Sequence, residues 1–157
     1  MIRSTCIYPQ QDGRWLMLLR NRKENDVNAG KWIGPGGKFE ANETARECAN
    51  RELYEETGLV ADALDYKGIL YFRYPHKEEE KIWIYTCEKF HGSLKDCDEG
   101  TLAWIDEADI LNLELWEGDR IFLESLLKKT DEKFCLELVY NENDELVSYM
   151  KREVEEE

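Results

Sequence analysis

The residues best equipped for chemistry are three carboxylates, Glu52, Glu55 and Glu56, in the stretch RELYEETG at positions 51–58. They fall at the end of a helix predicted over 44–57, where the negative pole of the backbone dipole disfavours further anions. Advancing ~100° per residue from Ala45 brings Ala49, Glu52 and Glu56 within about 40° of one line, with Cys48 and Glu55 just to one side. Arg46, Glu47, Asn50 and Tyr54 point largely elsewhere. The carboxylates therefore share the small-residue face, which the plain alternative, a solvated charge run, explains badly. Three like charges this close raise one another's pKa values, and a hard divalent cation removes the conflict. Clustered oxygen ligands suit Mg²⁺ or Mn²⁺, which completes its shell with water and phosphate oxygens. That is chemistry for a phosphate anhydride. Upstream, IGPGGK at 33–38 has glycines that let backbone groups approach a metal or phosphate, although taken alone this loop reads as no more than a turn.

These groups need a scaffold. Thr44 with Glu47 three residues later forms a capping box, and Gly58 suits the left-handed position that ends a helix. Residues 5–8 and 15–20 read as strands, followed by a long polar connection, NRKENDVNAGKW. Residues 69–74 and 81–87 read as a hairpin across PHKEEE, 101–105 as a short strand before an acidic turn, and 119–128 as a second helix. The end of the chain reads as two alternating strands around an Asn-Glu-Asn-Asp turn. Mixed strands with two helices indicate an α/β sandwich.

Composition bounds the rest. The 157 residues, 42% of them apolar, suit a single domain over 1–157 with its own core. A formal net charge of -14 argues against gripping long nucleic acid through its phosphates, while leaving a small polyanion possible when dications intervene. No run approaches the ~20 apolar residues of a membrane span, and the first residues lack the order of a secretory signal, so a cytoplasmic location is expected. Cys6, Cys48, Cys87, Cys97 and Cys135 are scattered without a CxxC pair, and His76 and His91 read as surface residues, which argues against thiolate or imidazole metal sites. The tail KREVEEE reads as a solvated end.

Gly37, Glu43, Arg51, Glu52, Leu53, Glu55, Glu56, Gly58 and Leu59 meet every fixed position of the Nudix box, G-x5-E-x7-R-E-U-x-E-E-x-G-U with U aliphatic. The chain thus resembles the Nudix hydrolases. GKWIGPGGK, DEGTLAWI and LELWEGD are also similar to the flanks of MutT-type members, which remove oxidised purine nucleoside triphosphates. The resemblance implies an α/β/α sandwich around a mixed β-sheet. It further implies Mg²⁺- or Mn²⁺-dependent hydrolysis of a small-molecule nucleoside triphosphate, releasing a nucleoside monophosphate and pyrophosphate. 8-oxo-dGTP is one candidate substrate, and the chain would act as a monomer or homodimer. Other substrates within the same chemistry are ADP-ribose, a dinucleoside polyphosphate or a capped RNA end. A domain that senses a nucleotide without hydrolysing it is disfavoured by the intact Glu52, Glu55 and Glu56.

Carried over by position, the resemblance makes Glu55 and Glu56 metal ligands, with the Gly37 carbonyl a further one and Glu52 either a ligand or the base that activates water. Arg51 and Glu43 become the ion pair that orients the carboxylates, against a plain helix-surface salt bridge. Glu99, in the segment DEG, joins the metals or serves as base, against an ordinary loop carboxylate. Trp116 and Asp119 match the aromatic wall and one acid of a purine pocket, against a packed core Trp and a helix N-cap. Ile33 and Lys38 are assigned to the substrate pocket as well. Two positions depart from the pattern: Ile33 stands where a base-binding asparagine is expected, and Gly118 replaces the first acid of an adjacent pair. Losing an amide and a carboxylate loosens base recognition, because hydrogen-bonding sites discriminate far more sharply than apolar ones.

Overall fold

The computed structural model describes residues 1–157. Strands β1 (Ile2–Gln11), β2 (Arg14–Leu19), β3 (Trp32–Ile33) and β4 (Gly36–Lys38) precede helix α1 (Ala45–Thr57). Strands β5 (Leu59–Arg73), β6 (Glu80–Gly92) and β7 (Thr101–Asp106) follow, then a 3₁₀ turn over Glu107–Asn112, helix α2 (Glu117–Leu127), and strands β8 (Phe134–Tyr140) and β9 (Leu146–Lys151). The sheet runs β3-β2-β1-β6-β5-β8-β9, with β4 against β1 and β7 against β2. Only β1 with β6 and β5 with β8 are parallel, so the sheet is mixed.

Alternation along the strands gives the sheet two apolar faces. From β6, Trp83, Tyr85 and Cys87 join Ala45, Ala49 and Leu53 of α1 in one core. Ile84 of the same strand turns to the other core, with Phe122, Leu123 and Leu126 of α2. One helix covers each face, giving the expected sandwich. No helix is long and apolar enough to cross a membrane.

The best-specified element forms as its sequence dictates. The Thr44 hydroxyl accepts from the Glu47 amide at 3.1 Å, and the Glu47 side chain accepts from the Thr44 amide at 3.0 Å, closing the capping box. Gly58 ends the helix at φ 82 and donates its N–H to the Tyr54 carbonyl at 2.8 Å. Arg46, Glu47, Asn50 and Tyr54 are exposed, while Ala45, Cys48, Ala49 and Glu56 are buried.

Three expectations are corrected. Residues 59–68 extend β5 well upstream of 69, where repeated bulges against β6 break the alternation that pattern reading depends on. The second helix starts at Glu117 with Trp116 in the N-cap position, so Asp119 lies inside the first turn and is not the cap. The C-terminal tail is not simply solvated. Glu155 accepts from the Tyr71 hydroxyl and from Lys81 Nζ at 2.9 Å, and Glu157 takes both Arg46 Nε and Nη2 at 2.8 Å. Tyrosine hydroxyls and cations left along the α1 side of the sheet need acceptors, and the tail's carboxylates provide them.

Candidate active site

Strand β4 and the last two turns of α1 meet face to face. The Gly36 N–H donates to Glu56 Oε2 at 3.0 Å, which anchors the carboxyl of a residue that is only 9% exposed. Glycine at position 37 leaves the Glu52 carboxyl where it is: a Cβ there would lie 2.4–2.6 Å from its atoms, so any side chain would displace that carboxyl. The Gly37 carbonyl is approached by the Thr5 hydroxyl and the Cys48 thiol, each at 3.5 Å. Arg51 organises the remaining acids. It donates to Glu43 at 2.6 and 2.8 Å, to Glu52 at 2.8 Å, to Glu55 at 3.0 Å and to the Lys38 carbonyl at 3.0 Å. Hydrogen bonding from Arg51 holds the Glu43 carboxyl down at about 2. One guanidinium therefore relieves much of the repulsion expected among these acids, leaving Glu56 as the carboxylate without a cation of its own.

Glu99 approaches from the loop before β7. Its oxygens take Lys23 Nζ at 2.7 Å and Arg20 Nη1 at 3.0 Å. Burial works to raise the Glu99 carboxyl, but hydrogen bonds from Lys23 and Glu56 and the charge of Arg20 outweigh it and hold it low. Glu56 shows the opposite balance. Burial first, then the adjacent Glu99, push it well above the ordinary carboxylate range against the pull of the Gly36 amide. Burial likewise raises Glu52 despite Arg51. Glu52, Glu56, Glu99, Gly36 and Gly37 all line one cleft of about 460 Å³. Glu55 does not: it is 53% exposed and tied to Arg51 at the rim, just to one side of Glu52 and Glu56 as the helical spacing places it.

The NUDIX domain pattern matches residues 2–126. The chain belongs to the NUDIX domain family. It is 32% identical over 139 residues to an oxidized purine nucleoside triphosphate hydrolase of Mus musculus, covering 88% of each chain. It is 30% identical to the Danio rerio protein of the same name, covering 97% of this chain and 95% of the other. Among solved structures, a mutator MutT protein from Bacillus halodurans superposes with a TM-score of 0.86 at 27% identity, covering 96% of this chain and 97% of that one.

The cleft of this Nudix chain continues past the carboxylates to Ile33, Lys38, Phe72, Trp116 and Asp119. Trp116 is both a packed core residue, 2% exposed, and part of the cleft wall, with Tyr140 and Phe72 at 4.8 and 5.3 Å between ring centroids. Asp119 is 9% exposed, and burial alone raises its carboxyl to about 7. Lys38 is exposed and Ile33 half-buried. The departure at Gly118 has a local cause. Its N–H donates to the Tyr140 hydroxyl at 2.7 Å, and a Cβ would meet that hydroxyl at 2.7 Å and the Leu138 methyls at 2.8 and 2.9 Å. Tyr140 thus occupies the space a side chain at 118 would need.

Several cleft residues escaped sequence reading, among them Arg20, Lys23, Asp26, Asn28 and Phe72. Four of them lie in or beside the polar connection after β2, whose only signal was an unusual density of paired charges in NRKEND.

Proposed function

We propose that this Nudix hydrolase cleaves a nucleoside triphosphate to the nucleoside monophosphate and pyrophosphate, with oxidised purine nucleotides such as 8-oxo-dGTP among its substrates. The observation that carries the reading is one cleft lined both by the box carboxylates Glu52 and Glu56 with Glu99 and by an aromatic wall, Trp116, beside the unpaired acid Asp119. The names of the murine and zebrafish relatives support the same substrate class.

The donor types suit a hard dication: carboxylates of Glu52, Glu56 and Glu99 and the Gly37 carbonyl line one cleft. As placed, no three of the acids converge into a metal cluster, and Glu52 is held by Arg51 while Glu99 is held by Lys23 and Arg20, so a dication would draw them together. Glu55 would join from the rim. Mg²⁺ or Mn²⁺ bound there supplies charge stabilisation for phosphoryl oxygens and lowers the pKa of water. The chain's own residues do the rest. Arg51 fixes the Glu52 carboxylate and ties it to Glu43, the kind of outer-shell support that sets ligand orientation. Glu52 or Glu99 takes the proton as a water oxygen bonds to phosphorus and the phosphoanhydride P–O bond breaks. Trp116 stacks on the base, and Asp119, with a carboxyl titrating near neutrality, donates or accepts at the base edge.

A broader substrate range is favoured by one observation: the pocket offers an apolar Ile33 and an acid-free Gly118 in place of two hydrogen-bonding groups. Other nucleoside diphosphate derivatives therefore belong in the test. Purified protein with Mg²⁺ is incubated with normal and oxidised nucleoside triphosphates, ADP-ribose and a dinucleoside polyphosphate, and products are separated by chromatography. Monophosphate and pyrophosphate from an oxidised purine triphosphate support the proposal. Turnover of no nucleoside triphosphate rejects it.

A further inference from the structure

We infer that Asp26 is a positioning residue that sets the base wall and the loop acid together, through one hydrogen-bonded chain running from Trp116 to Glu99. The inference rests on the functional reading above and concerns residues outside the Nudix box. Trp116 Nε1 donates to Asn28 Oδ1 at 2.8 Å. The backbone N–H of Asn28 donates to Asp26 Oδ1 at 3.1 Å, and Arg20 Nε donates to Asp26 Oδ2 at 2.8 Å, so Asp26 holds residue 28 through its main chain. Arg20 continues through Nη1 to Glu99 Oε2 at 3.0 Å. The two oxygens of Asp26 thus serve two branches, one ending at the aromatic wall and one at a carboxylate beside Glu56.

The arrangement is built to hold. Asp26 and Arg20 side chains are 6% and 13% exposed, so their ion pair is little screened by water. The loop that carries them is closed at its base, where Arg20 N–H donates to the Lys31 carbonyl at 3.0 Å and Gly30 N–H to the Arg20 carbonyl at 2.8 Å. Asp26 touches neither end itself: it fixes the loop at residue 28 and the guanidinium of Arg20, and these two carry its influence to Trp116 and Glu99. The chemical consequence is directional. Asp26 shares the Arg20 charge with Glu99; without it, the guanidinium is left to Glu99 alone and competes with a cation there. On the other branch, Asn28 holds the only hydrogen bond of the Trp116 indole, and its own placement depends on Asp26 Oδ1.

The test measures binding on the full chain, with no turnover involved. Mn²⁺ alone is titrated calorimetrically without nucleotide, and dGMP is titrated separately in the presence of chelator. Asp26→Ala is expected to weaken both by about tenfold, the usual scale for removing an outer-shell partner. Asp26→Asn keeps an oxygen for the Asn28 backbone N–H but loses the charge that balances Arg20, so it is expected to weaken Mn²⁺ and spare dGMP. Asn28→Ala is expected to do the reverse. Should Asp26→Ala fail to fold, the opposed behaviour of the other two variants decides alone. Equal effects on both ligands in Asp26→Asn and Asn28→Ala, or no effect in either, would overturn the inference while wild-type binding stands. A wild-type chain that binds neither Mn²⁺ nor dGMP would overturn the functional reading as well.

Discussion

Asp119→Asn makes the sharpest quantitative demand on the structure. Burial raises this carboxyl from 3.8 to about 7, with no other contribution. A carboxyl whose folded pKa is raised retains protons that the unfolded chain has released, so stability falls as pH rises through that window. The full window, about three pKa units, corresponds to roughly 4 kcal/mol at 1.36 kcal/mol per unit. Asparagine keeps the shape and cannot ionise, so the variant loses this slope. Its advantage over wild type should grow by roughly 2 kcal/mol between about pH 5.5 and about pH 8, a melting-temperature gain larger by roughly 4–8 °C at the higher pH for a chain of this size. Thermal unfolding of both proteins without metal or nucleotide, at both pH values, reads it directly. A difference between variant and wild type that stays constant with pH would refute the assignment of Asp119 as a buried, unpaired acid.

Other perturbations test neighbouring features. Gly37→Ala would push a methyl into the Glu52 carboxyl and displace it, so turnover should fall at least tenfold while stability changes by less than about 1 kcal/mol, because the flexible carboxyl can move aside, measured by steady-state kinetics and urea unfolding. Gly118→Asp, which restores an acid at that position, should destabilise by about 1–3 kcal/mol because Tyr140 fills the space, and adding Tyr140→Phe should recover part of the loss in the same unfolding assay. Arg46→Ala releases the clasp on Glu157; half-exposed, the pair should contribute under about 1 kcal/mol, but carboxypeptidase should trim the variant's tail faster than that of wild type.

What was legible in the sequence follows from how local each signal was. Helix α1 announced itself because its capping box, its small-residue face and its terminal glycine are all encoded within 44–58. The pairing of Arg51 with Glu43 was implied only by the resemblance to the Nudix box, which reaches upstream of the helix to Gly37 and Glu43; in the structure Arg51 donates to Glu43, and the Gly36 N–H of the glycine turn to Glu56. The first half of β5 was hidden because bulges scramble its alternation. The tail looked solvated because its acceptors are claimed by Tyr71, Tyr85, Lys81 and Arg46, contacts 72 to 111 residues distant in sequence that no local pattern records. Asp26 was overlooked for a similar reason: in a charged loop nothing marks the one carboxylate that the fold buries between an arginine and an asparagine. Gly118 could be seen as a departure but not explained, since its cause, Tyr140, sits on a strand at the far end of the chain.

The central claim is that Glu56, buried and without a cation of its own, is there to help hold a dication for phosphoanhydride hydrolysis. Glu56→Gln tests it most directly, because glutamine keeps an oxygen for the Gly36 amide and therefore the fold, while removing the charge. Nucleoside triphosphate turnover at saturating Mg²⁺ is expected to fall on the order of a thousandfold in this variant, with its unfolding transition intact. A variant that folds and turns over substrate at near wild-type kcat would contradict the account.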